Sequence, residues 1–314
     1  MILEETASMR APRKRSLASF IFEDKDTPNV DPATVSAEFA KFKQLDNVDP
    51  TLAKALVKAG TMDKDKADDV LAVESKTWAA ADLKPSQTTM RIDNTVGMVI
   101  AMLNGEMDNN LGCIVSSDNH IMDGHHRWSA AVIIDPASQV SGYGANLPGE
   151  QLLGVLNVLT KGVFGRNKGN PGKGAIADYT PENIKAALQK AVNEGVKGRK
   201  KPEEVKEILE KKFGSVEKAL ETMSQNVTSM SQEVPSWAPD RIQMPVIDPK
   251  EVPKAAKIMN AGQVDFKPPF ASVTQRAFSG DKKSKEATSN ESYSQDDGGY
   301  VMERWQKLAG LIKG

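Results

Sequence analysis

The chain has 314 residues, 26% of them charged, and a formal net charge of −1. That length supports a sizeable core and more than one compact unit, and the near-neutral balance excludes a global basic field for nucleic acid. The single cysteine, Cys113, excludes an intrachain disulfide and a cysteine-rich zinc site.

In chain order, residues 1–28 read as an irregular arm, basic from Arg10 to Arg15 and without the apolar core of a signal peptide. A cap residue followed by proline predicts helix starts at Asp31-Pro32, Asp49-Pro50 and Thr180-Pro181, with Gly60 and Gly195 as stops. A further helix is expected over 66–81. The texture then changes: Lys84-Pro85 predicts a short extended segment, and 93–105 a helix ended by Gly105. Alternation predicts a hairpin with strands 112–116 and 120–122 turning at Ser117-Asp118-Asn119. A helix over "HHRWSAAVII" follows, capped by Asp123 and stopped at Asp135-Pro136, then a strand around "SQVSGYG".

Beyond it, "PGEQLLGVLNVLTKG" reads as a helix leading into the glycine-rich basic loop "GRNKGNPGKG", 165–174. Residues 181–232 are charged and helical, and the proline-rich 233–270 reads as a wrapping segment with one short helix near 249–261. Residues 279–299 have linker composition, and "YVMERWQKLAGLIKG" is an amphipathic terminal helix suited to docking on the body or on a partner. No run approaches the roughly 20 apolar residues a membrane helix needs, so no membrane partner is expected.

The stretch "DNHIMDGHHRWSAA", 118–131, holds all three histidines, His120, His125 and His126. Adjacent histidines on a helix point about 100° apart, so His125 and His126 do not form the i, i+4 pair of a helical metal site, and no third ligand is evident. The metal assignment is therefore none. An anion site suits the pattern better. The amides of Gly124, His125 and His126 open a helix and lack intrahelical acceptors, Gly124 admits a close approach, and Arg127 adds a planar permanent charge. The competing reading is a helix cap with a buried, hydrogen-bonded histidine and a surface arginine.

"HIMDGHHRWSAA", with "LKPSQTTM", a helix and a hairpin before it, resembles the phosphate-binding box of the ParB/sulfiredoxin fold. It is closest to the Asp-Gly-His-His-Arg branch of free-serine kinases and phage ParB-like nuclease-type proteins. The resemblance covers residues 80–160. It implies an α+β protein: a small ParB/sulfiredoxin-like mixed α/β core with extensive, mainly α-helical N- and C-terminal extensions. The expected divisions are 1–79 (arm and helices), 80–160 (core), 161–270 (helical extension with the basic loop), 271–299 (linker) and 300–314 (terminal helix).

By the same resemblance, Gly124, His125, His126 and Arg127 hold the phosphates of a nucleotide di- or triphosphate (ADP, ATP or CTP) with Mg²⁺, and Asp123 orients the turn, takes part in proton transfer or supports a metal-bridged phosphate. Family kinases place a catalytic glutamate near the Pro-x-x segment. Here Gln87 stands there, and its amide is too weakly basic to accept a proton, so it is expected to position a ligand by hydrogen bonds. In a catalytic protein, Asp123 or His125 has to replace that glutamate. The family's sulfiredoxin cysteine is also replaced here by histidine, so sulfinic-acid reduction is not implied.

The 165–174 loop fails as a P-loop: no glycine stands five positions before Gly172, and Gly174 occupies the magnesium-binding Ser/Thr place. Its basic residues Arg166, Lys168 and Lys173 remain candidate phosphate contacts. The run at 197–206 reads as a solvated face, and no recognition helix stands out in 181–232.

Two functions stay open. One is a nucleotide-dependent phosphotransferase or NTPase at the Asp123–Arg127 turn. The other is a phage-type DNA-associated or virion interaction protein that uses the fold for binding, with DNA or a protein partner engaged through the C-terminal helix. Nuclease chemistry has little residue support. The expected location is cytoplasmic, meaning the host cytoplasm or the virion for a phage-encoded chain.

Overall fold

A computed structural model describes residue 39 and residues 41–61, 69–169 and 171–266. The expected N-terminal arm, the linker at 279–299 and the terminal helix lie outside these residues. So does most of the helix expected after Asp31-Pro32, whose described end is turns and a 3-10 turn, Leu45–Asn47.

Helix α1 (Pro50–Ala59) starts as its sequence dictates. The Asp49 carboxylate accepts from the Thr51 and Leu52 amides at 2.8 and 2.9 Å, and Pro50 occupies the first helical position. Over the described part of the helix expected at 66–81, residues 69–81, no α-helix forms. Residues 73–79 are strand β1 (Val73–Ala79), followed by a 3-10 turn, Ala80–Asp82. All seven β1 residues pair antiparallel with β5 (Gln139–Ala145), from Val73↔Ala145 to Ala79↔Gln139. Val73, Thr77 and Trp78 suit an extended backbone, and the long ladder with β5 decides the conformation.

The rest of the core follows the expected order: β2 (Lys84–Pro85), α2 (Ile92–Leu103), β3 (Asn110–Val115), β4 (His120–Ile121), α3 (His125–Ile134), β5, then α4 (Gly149–Gly162). Among the described residues five strands form one mixed sheet in the order β1-β5-β3-β4-β2. β3 runs parallel to β5 and antiparallel to β4, and β4 runs parallel to β2. Among the described residues the helices after α4 are α5 (Pro181–Glu194), α6 (Pro202–Phe213), α7 (Val216–Asn226) and α8 (Val252–Asn260). The protein is of the α+β class, with helices on both faces of the sheet.

Strand alternation divides the core in two. Leu111, Cys113 and Val115 face a cluster built with α2, α3 and α5 to α7, while Ile114 faces a second cluster built with α1, α4 and α8. Sequence segments on either side of the core thus supply its two covering layers. The site-bearing helix α3 is fixed at both ends of this packing. Ser129 Oγ on α3 lies 2.9 Å from Thr95 Oγ1 on α2, which lies 2.7 Å from the Tyr179 hydroxyl. At its C-terminal end, Asn226 of α7 donates to the Ile133 and Ile134 carbonyls at 3.0 and 3.1 Å, closing acceptors that a helix terminus leaves open. Among the described residues no helix is long and apolar enough to cross a membrane.

On the second face, α4 lies so close to α1 that a Cβ on Gly162 would stand 2.6 Å from the Ala53 carbonyl oxygen. Gly162→Ala has to push two helices apart, an overpacking cost of about 1–3 kcal/mol. Urea unfolding should show that loss, whereas Gly105→Ala, with open space around its Cβ, should show only the smaller cost of its positive φ.

Candidate functional site

The hairpin β3–β4 delivers the chain to Asp123 and Gly124, where it turns sharply into α3. Gly124 is the N-cap, with φ +82° and ψ 14°, in the left-handed region that glycine enters freely. A Cβ there would also meet the Leu111 carbonyl oxygen at 3.0 Å and Cys113 Cβ at 3.3 Å, so the turn lies flat against β3. The expectation that Asp123 caps the helix is corrected. Its Oδ1 accepts from the adjacent Gly124 amide at 2.7 Å, because the left-handed turn brings that N–H, rather than one in the first helical turn, to the carboxylate. The His125 and His126 amides therefore open α3 without an Asp123 cap.

A cavity of about 140 Å³ sits at this helix start, lined by Gln87, Met98, Asp123, Gly124, His125, His126, Arg127 and Arg241. One water needs roughly 10–15 Å³ by the same measure, so there is room for a phosphate-sized group with water beside it. The structure thus gathers the five residues of the turn and Gln87 around one space.

The three histidines do different work. His125 is buried, and its Nε2 accepts from the Ser86 amide at 3.0 Å. Its neutral ring then carries its proton on Nδ1, and that buried nitrogen has no hydrogen-bond partner among the described residues. Burial, reinforced by the positive charge of Arg241, holds its pKa well below the ordinary histidine value. His126 accepts the Arg91 amide on Nε2 at 3.1 Å, and burial, again with Arg241, lowers its pKa to about 4. His120 faces away from the cavity: Nδ1 donates to the Pro85 carbonyl at 3.1 Å and the ring stands edge-on to Trp237 at 5.2 Å. Both cavity histidines are neutral at pH 7, and with its Nε2 lone pair occupied His125 offers a donor rather than a base.

Asp123 is pushed the other way. Burial raises its carboxyl pKa, outweighing the pull of Arg241, the Gly124 amide and Arg127. Beneath the turn, Cys113 is fully buried and burial raises its thiol pKa, which leaves it an inert packing group. Gln87 is buried too, and its Oε1 lacks a partner among the described residues. Among the described residues neither Arg127 nor Arg241 makes a salt bridge. No group of three or more His, Cys, Asp or Glu side chains among the described residues could hold a metal ion.

The candidate loop contacts separate from this space. Arg166 is bound to Asp248 at 2.6 Å, to Glu251 and to the Val246 carbonyl at 2.9 Å. Lys168 is exposed, and Lys173 lines a different cleft with Arg91, Asp93 and Asp178. Arg241 and Met98 were not among the expected site residues. Arg241 lies in a proline-rich segment without periodicity, so no local signal marks it; only its place in the folded chain does. No family model, curated protein or solved structure matches the chain.

Gly124→Ala forces an alanine into the left-handed region, a cost of about 1–2 kcal/mol before the contact with Leu111 is counted. Its melting temperature should fall accordingly. The histidines also set an acid limit. His126 has a folded pKa near 4 against an ordinary 6.5, so the unfolded chain takes up a proton that the folded one refuses. The stability this confers is complete above pH 6.5 and is lost as pH falls toward 4. Melting temperatures measured from pH 7 to 5 should decline, and His126→Gln should flatten that decline.

Proposed function

We propose that the protein binds a nucleotide or another phosphate ester at the Asp123–Arg127 turn, through a ParB/sulfiredoxin-like core. The observation that carries this reading is the cavity at the start of α3, where the unpaired guanidinium of Arg127 lines the same space as the opening helix residues. A helix N-terminus and an arginine fork both favour an oxyanion, and neither group changes charge near neutral pH. The buried His125 Nδ1–H adds a donor without a partner among the groups around it.

Within this reading, Gly124 admits the phosphate, His125 and the opening amides are its donors, and His126 shapes the wall from its bond to Arg91. Among the described residues Asp123 is the one carboxylate lining the cavity. That suits a Mg²⁺ ion brought by the nucleotide and held mainly by its phosphates, with Mg²⁺ supplying neutralisation of phosphate charge. In a turnover step the proton acceptor is Asp123. Gln87 is not basic, the acceptor nitrogen of His125 is occupied, and burial makes the Asp123 carboxylate more basic than usual.

Thermal shift with ADP, ATP, CTP and GTP, with and without Mg²⁺, tests the reading. A ligand at about 100 times its Kd stabilises the fold by about 2.7 kcal/mol, a rise of several degrees. Arg127→Ala should abolish the rise. Without Mg²⁺, Asp123→Asn should strengthen ADP binding, because it removes a negative charge from the anion's surroundings and keeps an acceptor for the Gly124 amide. No shift with any nucleotide, or the same shift in Arg127→Ala, overturns the proposal.

A further inference from the structure

We propose that Arg241, brought to the cavity by the wrapping segment, is the second arm of a clamp that with Arg127 selects a dianionic terminal phosphate over a phosphodiester, and that the glycine-rich loop is the brace holding this arm. The inference rests on the phosphate reading above and deepens it by naming the ligand's charge class.

Arg241 opens a 3-10 turn, Arg241–Gln243, and lines the cavity together with Arg127. Its guanidinium has no side-chain hydrogen bond or salt bridge among the described residues, while the backbone around it is tied on every side. The Gly169 amide donates to the Ile242 carbonyl at 3.0 Å. Gln243 exchanges two hydrogen bonds with Asp46, at 2.9 and 2.7 Å. Further along, Arg166 grips the Val246 carbonyl, Asp248 and Glu251. A fixed backbone carrying a free, permanently charged head is a preorganised arm.

The loop glycines explain how the brace fits. A Cβ on Gly169 would stand 2.8 Å from the Arg241 carbonyl oxygen, and one on Gly172 would meet Arg241 Cβ at 3.1 Å and collide with the Thr89 hydroxyl. The glycines are needed for close contact with the arm and with the segment after β2, not for cradling a phosphate. Arg166, one of the loop's three candidate contacts, is spent on carboxylates of the wrapping segment.

The charge class follows from what lines the cavity. Two arginines face one carboxylate, Asp123, and two neutral histidines. Two planar cations around room for one phosphate match a terminal phosphate with two negative charges. A diester carries one charge, and its second ester arm needs space that the clamp occupies.

Isothermal titration of the full-length protein with ADP and with ADP-ribose, whose terminal phosphate is blocked as a diester, tests the clamp. The wild type should bind ADP at least tenfold more tightly. Arg241→Gln should lose at least tenfold in ADP affinity and level the two ligands; Arg241→Lys, which keeps the charge without the fork, should fall between, with melting temperatures confirming both fold. The brace is tested by Glu251→Gln beside Arg166→Gln: both should lower the melting temperature of the free protein and weaken ADP in parallel. Wild type that binds neither ligand overturns the phosphate reading itself. Binding that Arg127→Ala abolishes but Arg241→Gln leaves intact overturns the clamp alone. ADP weakened by Arg166→Gln but not by Glu251→Gln makes Arg166 a ligand contact and overturns the brace.

Discussion

The geometry of the site hangs on one backbone conformation, the left-handed Gly124 pressed against β3. With φ at +82° and the Leu111 carbonyl 3.0 Å from where a Cβ would be, the chain leaves β4 and enters α3 in a single residue. That turn decides which amides open the helix, aims the Asp123 carboxylate back at its own neighbour, and sets Arg127 one residue into the helix beyond the two histidines. A side chain at this position would lift the turn off the sheet, and each of those placements would go with it.

The electrostatics follow from burial beside arginine. An imidazole that loses water and faces a guanidinium gives up its charge, so His125 and His126 line the cavity as neutral groups. Their acceptor nitrogens are taken by the Ser86 and Arg91 amides, which orients both rings. The positive charge left in the cavity belongs to arginines, which do not titrate in the physiological range. Asp123 answers the same burial with the opposite shift, and the contrast separates it chemically from the histidines beside it.

Much of the core was legible because its signals are local. The hairpin, α2, α3 and α4 follow from periodicity and from turn residues, which act within a few positions. The five residues of the Asp123–Arg127 turn could be picked out together because they adjoin in the chain. β1 was misread as helix because its conformation is decided by a partner strand far along the sequence. Asp123 was misread as a cap because one left-handed residue changes which amide its carboxylate meets. Arg166 could be counted as a candidate contact because composition does not show that it has carboxylates waiting on the wrapping segment.

By itself the sequence determined the class of the core, the order of its hairpin and helices, and the cluster Asp123 to Arg127, since each depends on contacts between near neighbours in the chain. Tertiary structure alone decided that β1 joins the sheet, that His120 leaves the cavity, and that Arg241 lines it. Those outcomes arise from strand pairing and from the docking of segments far apart in sequence, where local propensity is outweighed by the burial and hydrogen bonding that distant partners supply.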